Sequence, residues 1–117
     1  MKIRKILLII IMGSISANAL AAFQCKSDIQ AVLVYANGAV NVRHTGRDDY
    51  THICSLKEER QGVSIATCAM WTSMLLNLKE KAKKADFYYT TTPEYNSCAD
   101  LPTYSASPAP VYIGPID

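Results

Sequence analysis

Apolar and polar positions follow two different periods along this chain. In IQAVLVYANGAVNVRH (Ile29–His44), β-branched and aromatic residues run on both sides of Asn37-Gly38. Asn-Gly tolerates the positive φ angles of a tight hairpin, so the pattern predicts two antiparallel strands joined there. Val32 and Val34 fall on one face, Leu33 and Tyr35 on the other. Apolar residues on both faces imply a strand that is covered twice or that offers one face to a partner. TGRDD (Thr45–Asp49) is a second turn signal. YTHICSL (Tyr50–Leu56) reads as a third strand, ended by the polar run Lys57–Gly62.

From Thr67 the period lengthens. Met70, Trp71, Met74, Leu75, Leu78 and Ala82 recur at steps of three and four, with Thr72, Ser73, Asn77, Lys79, Glu80 and Lys83 between them. That is an amphipathic helix of about four turns. Ser64 or Thr67 can cap its start, and Lys81, Lys83 and Lys84 crowd its end, where cations suit the helix dipole. DFYYTTT (Asp86–Thr92) resumes strand composition. A long irregular stretch containing Cys98 follows, and VYIG (Val111–Gly114) closes the pattern as a last short strand. Three strands, one helix and two strands is the element order of the OB-fold, a five-stranded Greek-key barrel with its helix between strands three and four. The expected class is a β-rich α+β domain of that kind.

The N-terminus changes what counts as the domain. Lys2, Arg4 and Lys5 precede an unbroken apolar run, Ile6–Met12, and small residues lead to Ala19-Leu20-Ala21. That is the layout of a secretory signal peptide, with cleavage expected after Ala21. The run is too short for a bilayer core, which takes about 20 residues, and no later segment is apolar enough to span. Residues 1–21 are therefore read as a signal and residues 22–117 as one domain. The signal carries three of the 12 cations and none of the ten acids, so the exported part has net charge −1 rather than +2. A nucleic-acid role driven by bulk charge is disfavoured.

All four cysteines lie after the cleavage point. An even count in a short exported chain reads as two disulfides, and four cysteines allow three pairings. A zinc site is disfavoured, since there is no Cys-x-x-Cys pair and the two histidines sit apart. A Cys54–Cys68 bond would tie the third strand to the first turn of the helix. Closing that loop is worth about 3 kcal/mol in the chain-entropy model, a large share of the stability of a small domain. Cys25–Cys98 would then fasten the N-terminus to the irregular stretch.

Little here asks for catalysis. Ser64, Ser73 and Ser97 lack an elbow pattern, His44 and His52 lie on or beside strands, and Glu58-Glu59 are adjacent on a loop. There is no Gly-rich phosphate loop, and the cysteines are assigned to bridges. No catalytic residue, metal or cofactor is expected. Tyrosine is enriched, with seven against two Phe and one Trp. Tyr88, Tyr89, Tyr95, Tyr104 and Tyr112 all follow the helix. A flat ring bearing a hydroxyl suits sugar or protein surfaces.

With these elements placed, the chain resembles the B subunits of the subtilase cytotoxin and pertussis-like toxin family. AVLVYANGAV is similar to the family's opening strand, YTHICS to its cysteine strand and IATCAMW to its tryptophan-bearing helix. ADFYYT resembles the aromatic strand and APVYIG the closing one. The resemblance implies a secreted OB-fold subunit that assembles as a ring, binds a cell-surface glycan or glycoprotein and accompanies an enzymatic A subunit. It points to Tyr89 as a sugar-contacting strand tyrosine, and to Ser27 or Asp28 for the serine that precedes the family's first strand. In such a ring Lys79 and Lys83 would line the centre. Cys25 and Cys98 have no counterpart in the family pattern. A monomeric periplasmic protein of structural or inhibitory role is the alternative on the same scaffold.

Overall fold

The computed structural model describes residues 22–116; the segment read as a signal peptide lies outside the described residues. Five strands form one antiparallel sheet: β1 (Ala22–Val34), β2 (Ala39–His44), β3 (Asp49–Ser55), β4 (Lys84–Thr90) and β5 (Tyr112–Pro115). Their spatial order is β3-β2-β1-β4-β5. One helix, α1 (Ile65–Glu80), lies between β3 and β4 in sequence, and a 3₁₀ turn at Cys98–Asp100 interrupts the irregular stretch. The element order matches the expectation. The two end strands, β3 and β5, are not paired with each other, so the sheet is open.

β1 begins at Ala22, well before the start expected at Ile29. Its first half pairs with β4, from Ala22 opposite Thr90 to Asp28 opposite Lys84. Its second half pairs with β2. Cys25, Ser27 and Ile29 are buried while Gln24, Lys26 and Asp28 are exposed, the period-two signature of a strand with one covered face. A register shift between Ile29 and Ala31 lets the strand bend from one partner to the other. Ser27 and Asp28 therefore lie inside the first strand, not ahead of it.

The turns exchange roles relative to the sequence reading. At Asn37-Gly38 only Gly38 has positive φ, 91°. Its N–H donates to the Tyr35 carbonyl at 2.9 Å, and the Tyr35 N–H donates to the Ala39 carbonyl at 2.8 Å. This is a three-residue loop with a glycine bulge. A side chain at Gly38 would also run into Lys57, whose Cβ would be 2.7 Å away. The two-residue turn with both central residues at positive φ occurs at Gln61 (50°) and Gly62 (86°). Reciprocal backbone bonds between Arg60 and Val63 close it, at 3.1 and 2.9 Å.

α1 starts where Ser64 Oγ accepts a hydrogen bond from the Thr67 N–H at 3.1 Å, so Ser64 is the cap and Thr67 its partner. Cys68, Trp71, Thr72, Leu75 and Leu78 form the buried face. Met70, expected inside, is 73% exposed, because the sulfur bond to Cys54 pins the helix to β3 along the Cys68–Leu75 line. Ala82, also expected on the apolar stripe, lies past the helix end with φ 56°. There the N–H groups of Lys83 and Ala82 donate to the carbonyls of Leu78 (2.9 Å) and Lys79 (3.1 Å). That pattern, the Schellman motif, needs a left-handed residue, and glycine is its usual occupant.

α1 packs on β1, β3 and β4, covering the sheet face that carries Val40, Val42, Ile53, Phe87 and Tyr89. Both bridges form with the pairing set out above: Cys54–Cys68 with Cα atoms 5.5 Å apart, and Cys25–Cys98 at 5.7 Å. The second closes the longer loop and straps the irregular segment onto β1.

Candidate functional site

The residues singled out in sequence do not share one surface. Tyr89 sits on the covered face of β4, 1% exposed, with Phe23 stacked on it at 5.5 Å. Its hydroxyl has no hydrogen-bond partner, and burial pushes its pKa above the usual tyrosine value. Ser27 is fully buried, and its Oγ accepts the Gly46 N–H at 3.0 Å. Asp28 is exposed on the opposite face and pairs with Lys84 at 3.2 Å. Of the five tyrosines after the helix, Tyr88 and Tyr112 stack on each other at 4.8 Å. The Tyr112 hydroxyl donates to Asp86 Oδ2, which also accepts from Gln24 Nε2.

The two histidines lie in different surroundings. His44 is fully buried and stacks on Phe87 at 4.4 Å. Both of its ring nitrogens lack partners. Burial, with the nearby Arg47 charge adding to it, lowers its pKa from 6.5 to about 4. Among the described residues, no group of three or more His, Cys, Asp or Glu side chains is placed to hold a metal ion. No helix there is long and apolar enough to cross a membrane.

Of the concave surfaces among the described residues, two bear on function, and the sequence reading identified neither. The first is an apolar groove between α1 and β5. It encloses about 490 Å³, lined by Ala69, Met70, Ser73, Met74, Asn77, Leu78 and Pro115. A hollow of about 310 Å³ bounded by Trp71 and Ile113 continues it past the shared Met70 and Met74. Ile113 is buried beside the helix, while Pro115 at the end of β5 stays exposed and forms the far wall of the groove. Exposed Val111 and Tyr112 lie at the entry to β5. No strand pairs with the outer edge of β5 among the described residues, so unpaired backbone donors and acceptors border an apolar trough. The sequence signal was Met70, an apolar helix position that the core does not use.

The second surface is a polar cleft of about 330 Å³ where β2 begins and β3 ends, lined by Asn37, Ala39, His52, Ser55, Lys57, Glu58 and Arg60. The turn at Gln61-Gly62 returns the chain so that Arg60 lies over β3. Its guanidinium donates to the carbonyls of His52 (2.9 Å), Ser105 (3.2 Å) and Ser107 (2.7 Å). Ser55 Oγ accepts the N–H groups of Lys57 and Glu58. His52 Nε2 lies 3.1 Å from the Cys54 carbonyl; a carbonyl only accepts, so this nitrogen carries the proton. Burial, then the Arg60 charge, lowers the His52 pKa.

No family model matches the chain, and no curated protein or solved structure matches it.

Proposed function

We propose that this chain is an exported, disulfide-stapled binding module without catalytic activity that works by self-association, in the manner of the toxin B subunits it resembles. The observation that carries this reading is the apolar groove beside the open edge of β5. Met70, Val111 and Tyr112 are exposed apolar side chains on and beside this groove, and their grouping next to an open strand edge suits a contact surface. An unpaired strand edge next to it can accept a strand from a second copy. Two cystines suit an oxidising compartment, consistent with export to the periplasm or beyond.

The barrel belongs to the same proposal. A single parallel bridge joins Thr51 of β3 to Tyr104, in the segment that leads toward β5. We read it as the seam of a partly closed OB-type barrel. The glycan or glycoprotein ligand implied by the resemblance stays within this reading. Its site is not assigned to Tyr89 or Ser27, whose side chains face the interior.

Light scattering on residues 22–117, with native mass measurement, tests the assembly. An oligomer that Met70→Glu dissociates, with the fold retained by circular dichroism, supports it. A monomer at high micromolar concentration, together with no hit on a glycan array, overturns it in favour of the monomeric periplasmic alternative.

A further inference from the structure

We propose that the polar cleft at the ends of β2 and β3 binds the oxyanion group of a larger polar ligand, with Arg60 as its fixed positive centre. The inference is independent of self-association, because it concerns the opposite edge of the sheet and is read by ligand rather than by copy number.

Arg60 is half-buried, and its partners are three backbone carbonyls, which orient the guanidinium without neutralising it. The ion pairs among the described residues are Arg43–Asp48 and Lys84–Asp28; no carboxylate comes within 4 Å of Arg60. Removing a charge from water without a counter-charge is costly. Two of its five N–H donors have no protein acceptor.

The rest of the lining is rich in donors. The Asn37 side-chain oxygen accepts the Ala39 N–H at 3.0 Å, which leaves its amide hydrogens to donate. Ser55 Oγ already accepts two backbone N–H groups, so its own proton is free to donate. Lys57 adds a mobile ammonium at the rim. Against these stand the acceptor Nδ1 of His52 and the exposed carboxylate of Glu58. Donors converging around an uncompensated guanidinium select carboxylate, sulfate or phosphate oxygens. The cleft, about 330 Å³, falls in the size range of small-molecule sites. Water occupies about 30 Å³ per molecule, so a bare oxyanion leaves most of the space unfilled. The occupant is therefore an oxyanion carried on a body of about monosaccharide size.

The experiment follows backbone amide shifts of the oxidised protein during separate titrations at constant ionic strength. The titrants are inorganic sulfate, glucose 6-sulfate, glucose 6-phosphate, glucuronate and plain glucose. At least one charged sugar should saturate shifts at 37–39 and 52–60, and bind at least tenfold tighter than sulfate and glucose. Arg60 also holds the fold, so the discriminating variants lie on the exposed rim. Lys57→Gln should weaken binding about threefold to fivefold and Glu58→Gln should tighten it by a similar factor, the size of an exposed charge interaction. Three results overturn the inference: no saturation by any charged sugar, sulfate binding as well as the best of them, or both rim variants shifting affinity in the same direction.

Discussion

The two edges of the sheet are finished in opposite ways. Along β3, the segment that follows the 3₁₀ turn is laid against the strand. The Tyr104 N–H donates to the Tyr50 carbonyl at 2.9 Å, and the Tyr50 and Tyr104 rings lie 5.8 Å apart. Buried Ser107 accepts the His52 N–H and donates to the Tyr104 carbonyl, both at 2.6 Å. Arg60 clamps the same turn from its other side. Along β5, a four-residue strand that ends in Pro115, no such cover lies on the outer edge among the described residues. An exposed strand edge templates pairing with another chain. Among the described residues the fold covers that edge at one end and leaves it uncovered at the other; under the proposed self-association, a second copy would pair at the uncovered end.

The largest effect on this contrast should come from the strap that holds the covering segment. Replacing Cys25 and Cys98 together by Ala opens the long loop. It should cost about 4 kcal/mol by the chain-entropy estimate, with the β3 edge losing protection first. Urea unfolding and amide exchange read both quantities. If protection is lost equally at β3 and β5, the strap is not what distinguishes them.

Acid should weaken the molecule without favouring either edge, because His44 lies in the core at the end of the interior strand β2. Folded His44 binds its proton near pH 4, against 6.5 unfolded. Between those values the unfolded chain holds more protons, so stability falls as the pH drops through that window. The loss approaches about 3 kcal/mol below pH 4. The difference between wild type and His44→Phe, measured as a function of pH, should carry that slope; a flat difference removes the assignment.

Ser107→Ala deletes the hydroxyl bonds at the covered edge and leaves the His52 N–H unpaired, while the Tyr104 carbonyl keeps the Ser107 N–H at 3.0 Å; the cost should be about 2 kcal/mol. Thermal unfolding of the variant gives the value, and a change below about 0.5 kcal/mol would mean that Arg60 and the backbone bonds of the turn hold it without the hydroxyl. The smallest effect belongs to the open edge. Met70→Glu should leave monomer stability within about 0.5 kcal/mol of wild type, since the side chain supports no core contact that the exposed site would lose. A larger loss would show that Met70 is structural and would weaken the case for the groove as an interface.

Local chemistry determined much of this molecule. Strand and helix order followed from the periods of two and 3.6. The helix start followed from a serine able to cap it, and the cystines from an even cysteine count behind an export-like leader. These features depend on neighbours within a few residues, or on loop lengths, and are legible in one dimension. The first half of β1 was legible in principle, but Ser27 stands at an inward position where an apolar residue would have revealed the alternation. Tertiary structure decided the rest. Tyr89 reads as a surface aromatic until Phe23 of β1 stacks over it in the core, and Met70 reads as core until the Cys54–Cys68 bond sets the roll of the helix. Arg60 reads as one of several loop charges until the Gln61-Gly62 turn lays it over β3, against carbonyls from residues 52, 105 and 107. Burial and charge compensation are sums over neighbours distant in sequence, so no local pattern can carry them.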